Sequence, residues 1–416
     1  MIGLTDTPRA KVLLVSSLIA RLPLAMFSIS LLVHVHQLTG SFAVAGAASG
    51  AYVIGRGVTS PVLGRLVDRR GQTLVLMGCA TTSAALLVAV ALLPASAPNL
   101  LVVGLSGAIG TVSPPLAACA RALLPAIVTD PNALDAAYTL ETTALELTFI
   151  AGPPLALGLA TSLSTRAPLL AGATILLTAT GAFAAQPASR HWRGRGQPGR
   201  AAGALRSPTI RTLALILVAV GIVFGAVDVA VAASASSQHA IGATGPLLGI
   251  WGVGSLLGGI IATRTHANTH HTSAVILLIT ALATGHAALI LASANLPLLG
   301  GLLLLAGAAI SPATGAIYAL AGRAAPSGTK TEAFSWLLSA NATGASIGAA
   351  AAGTLSQAAG PQAAFALAAG AGGLAVLIAI VSRAAWSLPR RDPVAVARSG
   401  SGQATGPEVR AEPRLG

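Results

Sequence analysis

The sequence predicts an all-α integral membrane protein, with twelve transmembrane helices in two six-helix bundles. Three observations carry that prediction. Only 8% of residues are charged and 54% are hydrophobic, with a mean hydropathy of +0.80; a soluble domain carries about 25% charged residues. Uncharged apolar runs of membrane-crossing length recur along the chain, and about 20 such residues span the hydrocarbon layer. Finally, the two halves of the chain resemble each other.

The spans follow in order. The first is 11–36; its basic start is like that of a secretory signal, but Arg21 interrupts it and more spans follow, so it is expected to stay uncleaved. The second is 42–63. The uncharged run 71–120 contains the breaker "PASAPN" (94–99) and makes spans three and four. Spans five to eight are 138–162, 167–185, 210–235 and 242–263. The runs 265–322 and 333–382, interrupted by "SANLP" (293–297) and "QAAGPQ" (357–362), give the last four.

Positive charge orients the spans. The alternate loops near 37–41, 94–99, 163–167, 236–242, 293–297 and 357–362 hold one cation, Arg166. The opposite segments hold eighteen up to residue 391, so those segments and both termini are predicted to be cytoplasmic, in the plasma membrane. This bias accounts for the net charge of +13 without any nucleic acid. Cys79 and Cys119 both fall inside apolar runs and imply no disulfide framework. The predicted organisation is a bundle at 1–185, a basic linker at 186–208, a bundle at 209–383 and a tail at 384–416. The linker is rich in Arg, Gly and Pro and reads as mobile.

The halves align in two places. "SPVLGRLVDR" (60–69) matches "SLLGGIIATR" (255–264) at an offset of 195, and "SPPLAACARALLP" (113–125) matches "SPATGAIYALAGR" (311–323) at 198. Parallel six-helix repeats underlie major transporter folds.

The charged stretch "GRLVDRRGQ" (64–72) lies between spans two and three. It resembles the signature loop of the major facilitator superfamily, with Gly64, Asp68, Arg69 and Gly71 at the matching positions and Gln72 and Thr73 where basic residues usually stand. Gly64 permits close helix approach, Gly71 a tight turn, and Asp68 can accept from Arg or cap a helix N-terminus. The resemblance implies a gate that latches the halves on one side. In the second half, "ATRTHANTHH" keeps Arg264 and lacks the acidic residue. Gly152-Pro153 resembles the Gly-Pro motif of superfamily drug exporters and implies a helix kink at a moving interface. Arg121 is placed at the inner end of helix four, which therefore lacks the buried Arg that many proton-driven exporters carry there.

Intramembrane charges cost roughly 2.5–3.5 kcal/mol each at a helix centre, so they point to function. Five are present: Arg21, Arg56, Glu141, Glu146 and Asp228. The repeat echoes none of the four deeper ones: Arg21, Arg56, Glu146 and Asp228 align with Ile216, Trp251, Ala342 and Val33. Arg21 and Glu146 both lie about ten residues into helices rising from one side, about 15 Å deep, and are expected to pair, either structurally or with Glu146 as proton carrier or substrate contact. Asp228 is expected toward the outer half of helix seven as a proton or cation site, a role favoured by the resemblance, because superfamily members line their cavity with that helix. Arg56 is a further substrate or proton contact or a snorkelling cation, and Glu141 reads as interfacial.

His266, His270 and His271 sit in a short basic loop without carboxylates or cysteines and read as solvated, so no metal is expected. His286 is expected to bond a neighbouring backbone group. No nucleotide-binding motif, nucleophile–base pair or other enzymatic constellation is present, and no cofactor is expected. The expected function is proton-driven efflux of a small hydrophobic organic compound or antibiotic by a monomer, its partners being that substrate, protons and the lipid bilayer. The alternatives are a proton-coupled uptake symporter and a non-transporting membrane scaffold or sensor.

Overall fold

Lipid offers the backbone no hydrogen bonds, so each apolar run must satisfy its own N–H and C=O groups. Helix is the outcome throughout. The computed structural model describes residues 8–128, 130–192, 203–240, 243–264 and 272–386. Six helices form the first bundle: α1 (Pro8–Thr39), α2 (Phe42–Arg70), α3 (Gln72–Ala91), α4 (Asn99–Ile127), α5 (Pro131–Ser162) and α6 (Ala167–Ala184). The second bundle holds α7 (Pro208–Ser237), α8 (Thr244–Arg264), α9 (Thr272–Ala292), α10 (Leu296–Ala324), α11 (Lys330–Ala359) and α12 (Pro361–Val381). Among the described residues, nine of these are long and apolar enough to cross a membrane on length and hydropathy alone. The other three, α2, α5 and α11, are more polar but run to 29, 32 and 30 residues.

The repeat is visible in the packing. α4 breaks at Ser113-Pro114-Pro115 and α10 breaks just before Ser311-Pro312, because proline brings no N–H to the helix ladder. On either side of these breaks, glycines let backbones touch. Gly110 lies directly against the Tyr52 carbonyl where α4 meets α2, and Gly307 against the Trp251 carbonyl where α10 meets α8. Large apolar side chains left exposed, such as Leu100, Leu291 and Leu305, face outward as a lipid-contacting surface does.

We call the side carrying the Arg-rich loops the basic face. Toward it the two bundles share one apolar cluster, in which Leu124 and Tyr138 of the first bundle join Ile317, Phe334 and Leu337 of the second. Toward the opposite face the clusters are separate: one around Val35 and Val102, the other around Val231, Leu299 and Phe365. The bundles are therefore pressed together at the basic face.

The linker is described at both ends. Pro187–Arg190 forms one helical turn whose buried Ser189 donates to Gln72 at 3.1 Å, and a 3-10 turn at Ala204–Arg206 follows Gly203, which packs on the Glu332 carboxylate. The ends of the linker, expected to be mobile, are thus anchored by specific contacts. Residues 193–202, the tail from 387 and the His266, His270 and His271 loop lie outside the described residues.

Candidate functional site

Two sets of residues stand out, a latch at the basic face and a charged cluster buried behind it. The latch begins with α11, whose first-turn N–H groups have no partner within the helix and whose N-cap residue, Thr329, supplies no side-chain bond. Asp68, at the end of α2 in the other bundle, fills that role: the N–H groups of Thr331 and Glu332 donate to its two carboxylate oxygens at 3.2 and 2.8 Å. A negative charge at a helix N-terminus is favoured by the helix dipole as well. Asp68 lies past the membrane-spanning stretch 42–63, and burial pushes its carboxyl up to about 6 against the bonds that favour the charge. Desolvation thus takes back part of what the bonds give, which suits a latch that must open.

Arg65 completes it, donating to Glu332 at 2.7 Å. Gly64 lies directly against Ser335 and the Thr331 carbonyl, and Gly71 turns the chain at φ +91°. Arg69 is exposed and makes no ion pair among the described residues; the cation in the latch is Arg65, one turn earlier.

A second latch mirrors the first. Arg323 of α10 donates to Asp135 of α5 at 2.7 Å. Asp135 and Glu332 are separated by 332 − 135 = 197 positions, between the repeat offsets of 195 and 198. Each bundle thus offers one acid at an equivalent place to an arginine of the other. Sequence reasoning missed this pair, because Asp135 seemed to lie before span five.

The buried cluster lies deeper. Glu141 is fully buried and accepts from Arg21 Nη1 and Arg121 Nε, both at 2.5 Å. Arg21 also donates from Nε to the Ser17 carbonyl at 3.1 Å. Two expectations are corrected here. Glu141 is no interfacial residue: α5 starts at Pro131 rather than 138, which places Glu141 ten residues inside. Arg121 is fully buried rather than standing at the helix end, since α4 runs on to Ile127. Arg21 is bonded to Glu141; the expected partner Glu146 has a side chain outside the described residues.

Tyr318 of α10 closes the cluster from the second bundle, its ring centroid 3.7 Å from the Arg121 guanidinium carbon. Among the described residues, Arg21 Nη2 and both Arg121 Nη atoms are buried without a hydrogen-bond partner. Arg56, half-buried on α2, lies close enough for its charge to repel Arg21. Three cations therefore surround one carboxylate among the described residues.

Asp228 stands apart in the half of α7 away from the basic face, on the surface of the bundle and without a hydrogen bond or ion pair among the described residues. One turn below it, Phe224 meets Trp251 and His286 in an aromatic group, with ring centroids 5.6 and 6.3 Å away. Trp251 Nε1 donates to His286 Nε2 at 3.2 Å, so Nδ1 carries the proton and donates to the Leu282 carbonyl at 2.7 Å. His286 is therefore a satisfied core residue, as expected. At Gly152, α5 backs onto Ala25 of α1, and the helix continues through Pro153 to Ser162.

The Major Facilitator Superfamily profile matches residues 13–290, about two-thirds of the chain. The chain belongs to the major facilitator superfamily. A curated relative, an uncharacterized MFS-type transporter (y4rN) of Sinorhizobium fredii, is 28% identical over 304 residues, covering 68% of this chain and 73% of its own. Among solved structures, a bacterial homologue of the iron transporter ferroportin, in an outward-facing state, superposes with a TM-score of 0.73 at 17% identity. That match covers 92% of this chain and all of the other. The human organic anion transporter MFSD10 gives 0.67 at 17% identity, over 90% of this chain and 100% of that one. The proton:xylose symporter XylE gives 0.68 at 13% identity, over 88% and 94%. At these identities the structures establish the shared fold. This superfamily member is a multi-pass membrane protein of the secondary-transporter class.

Proposed function

We propose that this chain is a proton-driven exporter of small hydrophobic organic compounds, working by alternating access as a monomer in the plasma membrane. Its basic face and both termini face the cytoplasm in this reading. One observation carries it: the bundles are sealed at the basic face by two ion-paired latches and a shared apolar cluster, whereas toward the other face their cores are separate. A two-bundle protein closed on one side only is half of an alternating-access cycle.

Asp228 is the proton site in this reading. Glu141 already holds two guanidinium groups, whereas Asp228 holds none among the described residues. Gly64, Asp68 and Gly71, with Arg65 and Glu332, form the gate, and the exposed Arg69 adds to the positive charge beside it. Gly152 and Pro153 sit where α5 must slide on α1. Arg21 and Arg56 belong to the substrate-contacting cluster, and Glu146 remains a candidate contact on the same helix as Glu141.

The test is proton flux in inverted vesicles with a pH-sensitive dye and a panel of lipophilic antibiotics and sugars. Export predicts that a lipophilic compound collapses the imposed gradient with the parent and that Asp228→Asn, expressed normally, does not respond. Flux evoked only by a polar solute would replace export with uptake. That second reading has its own support, since an outward-exposed Asp228 is placed where a symporter would take on its proton.

A further inference from the structure

The charge imbalance of the buried cluster leads further. Glu141 satisfies one nitrogen each of Arg21 and Arg121, leaving Nη2 of Arg21 and both Nη atoms of Arg121 without an acceptor among the described residues. Arg56 adds a third positive charge nearby. Buried guanidinium groups left in this condition are costly, and a surplus of cations that no described residue neutralises makes this a place for an anion. Against the open side of Arg121 lies only the ring of Tyr318, whose π face is a weaker partner than an oxyanion.

Tyr318 belongs to the opposite bundle. When the bundles part at the basic face, α10 must leave α4 and α5, the Asp135–Arg323 pair breaks with it, and Tyr318 withdraws from Arg121. The guanidinium face is then uncovered, and both terminal nitrogens of Arg121, bonded to no described acceptor, form a planar fork that fits a carboxylate with two parallel bonds. We propose that the transported molecule is an amphipathic organic acid whose carboxylate binds Arg121, with Arg21 and Arg56 adding positive charge. Tyr318 displaces it by reclaiming the guanidinium when the basic face closes. This rests on the transport reading above and names its substrate class. Phe334, its ring centroid 6.3 Å from that of Tyr318, offers an apolar surface beside the site for the rest of such a molecule. In an exporter this order is productive, because the anion site is uncovered only while the protein is open to the side it loads from.

The test uses the full-length protein in phosphatidylcholine nanodiscs, with ligand-dependent thermal unfolding as readout. The probes are naphthoate, naphthamide, naphthylmethylamine and inorganic phosphate. Naphthoate is expected to raise the Tm, and the neutral amide, the amine and phosphate to leave it unchanged. Tyr318→Ala removes the competing ring and is expected to tighten naphthoate binding roughly tenfold, within the range of a desolvated cation–π contact. Arg121→Lys keeps the charge and the pairing with Glu141 but loses the fork, and is expected to weaken binding roughly tenfold. Equal naphthoate binding in the parent and Arg121→Lys overturns the proposal, as does stabilisation by the amide, by the amine or by phosphate alone. Failure of the transport reading looks different: naphthoate binds as described, yet vesicles carrying the protein move neither protons nor naphthoate. Transport of a neutral or cationic compound that naphthoate does not inhibit would sink the acid assignment and leave transport standing.

Discussion

At the scale of single residues, Glu141 is the hinge of the account. It is fully buried between Arg21 and Arg121, so Glu141→Gln leaves two guanidinium groups without a counter-charge. Breaking a buried pair in this way costs about 3–5 kcal/mol; the variant should show a markedly lowered Tm in detergent, whereas Arg56→Gln, which touches no ion pair in the cluster, should unfold near the parent. Asp228 should behave in the opposite manner. It lies at the surface of the bundle and bonds no described residue, so Asp228→Asn should fold at the parent Tm while losing substrate-evoked proton flux. The presence of unusual charges in the spans was legible in the sequence, and so was their functional promise. Their partners were not. The helix that carries Glu141 starts seven residues earlier than its apolar run, which takes Glu141 from the interface to the depth of Arg21. The Arg65–Glu332 and Arg121–Tyr318 contacts join residues 267 and 197 positions apart, and only the meeting of two bundles brings them together.

At the scale of elements, close approach between helices decides what can move. Gly64 lets α2 lie directly on Ser335 and Thr331 of α11. A valine there has no room in the closed arrangement, so Gly64→Val should favour the form open at the basic face, seen as faster modification of a cysteine placed at Ser335. Gly258 packs against the Ala308 carbonyl inside one bundle; a side chain there meets backbone that does not move in the cycle. Gly258→Leu should therefore lower the Tm, by the roughly 1–3 kcal/mol typical of overpacking, without favouring either conformation. The number and order of helices were readable from apolar runs and breakers, because lipid imposes one solution on the backbone. The helix ends on the basic face were not. Charged residues such as Asp68, Asp135 and Glu332 were read as loop, yet they extend the helices beyond the hydrocarbon, where contacts with the other bundle make use of their charge.

At the scale of the whole molecule, two latches at repeat-related positions hold one face shut. Either alone leaves the shared apolar cluster in place, so Asp68→Asn or Asp135→Asn should shift the conformational balance modestly, and the double variant should shift it further, in nearly additive fashion. The separate cores toward the other face leave the bundles free to close there once the latches release. The measurement that tests this most directly is a pair of spin-label distances in nanodiscs: Arg69 to Ser327 across the basic face, and Ala47 to Gln357 across the opposite one. The account predicts that, on adding a transported compound and acidifying, the first distance lengthens as the second shortens, with Gly64→Val starting part-way along that change. Two distances that stay fixed together under every condition, in parent and variant alike, would contradict it.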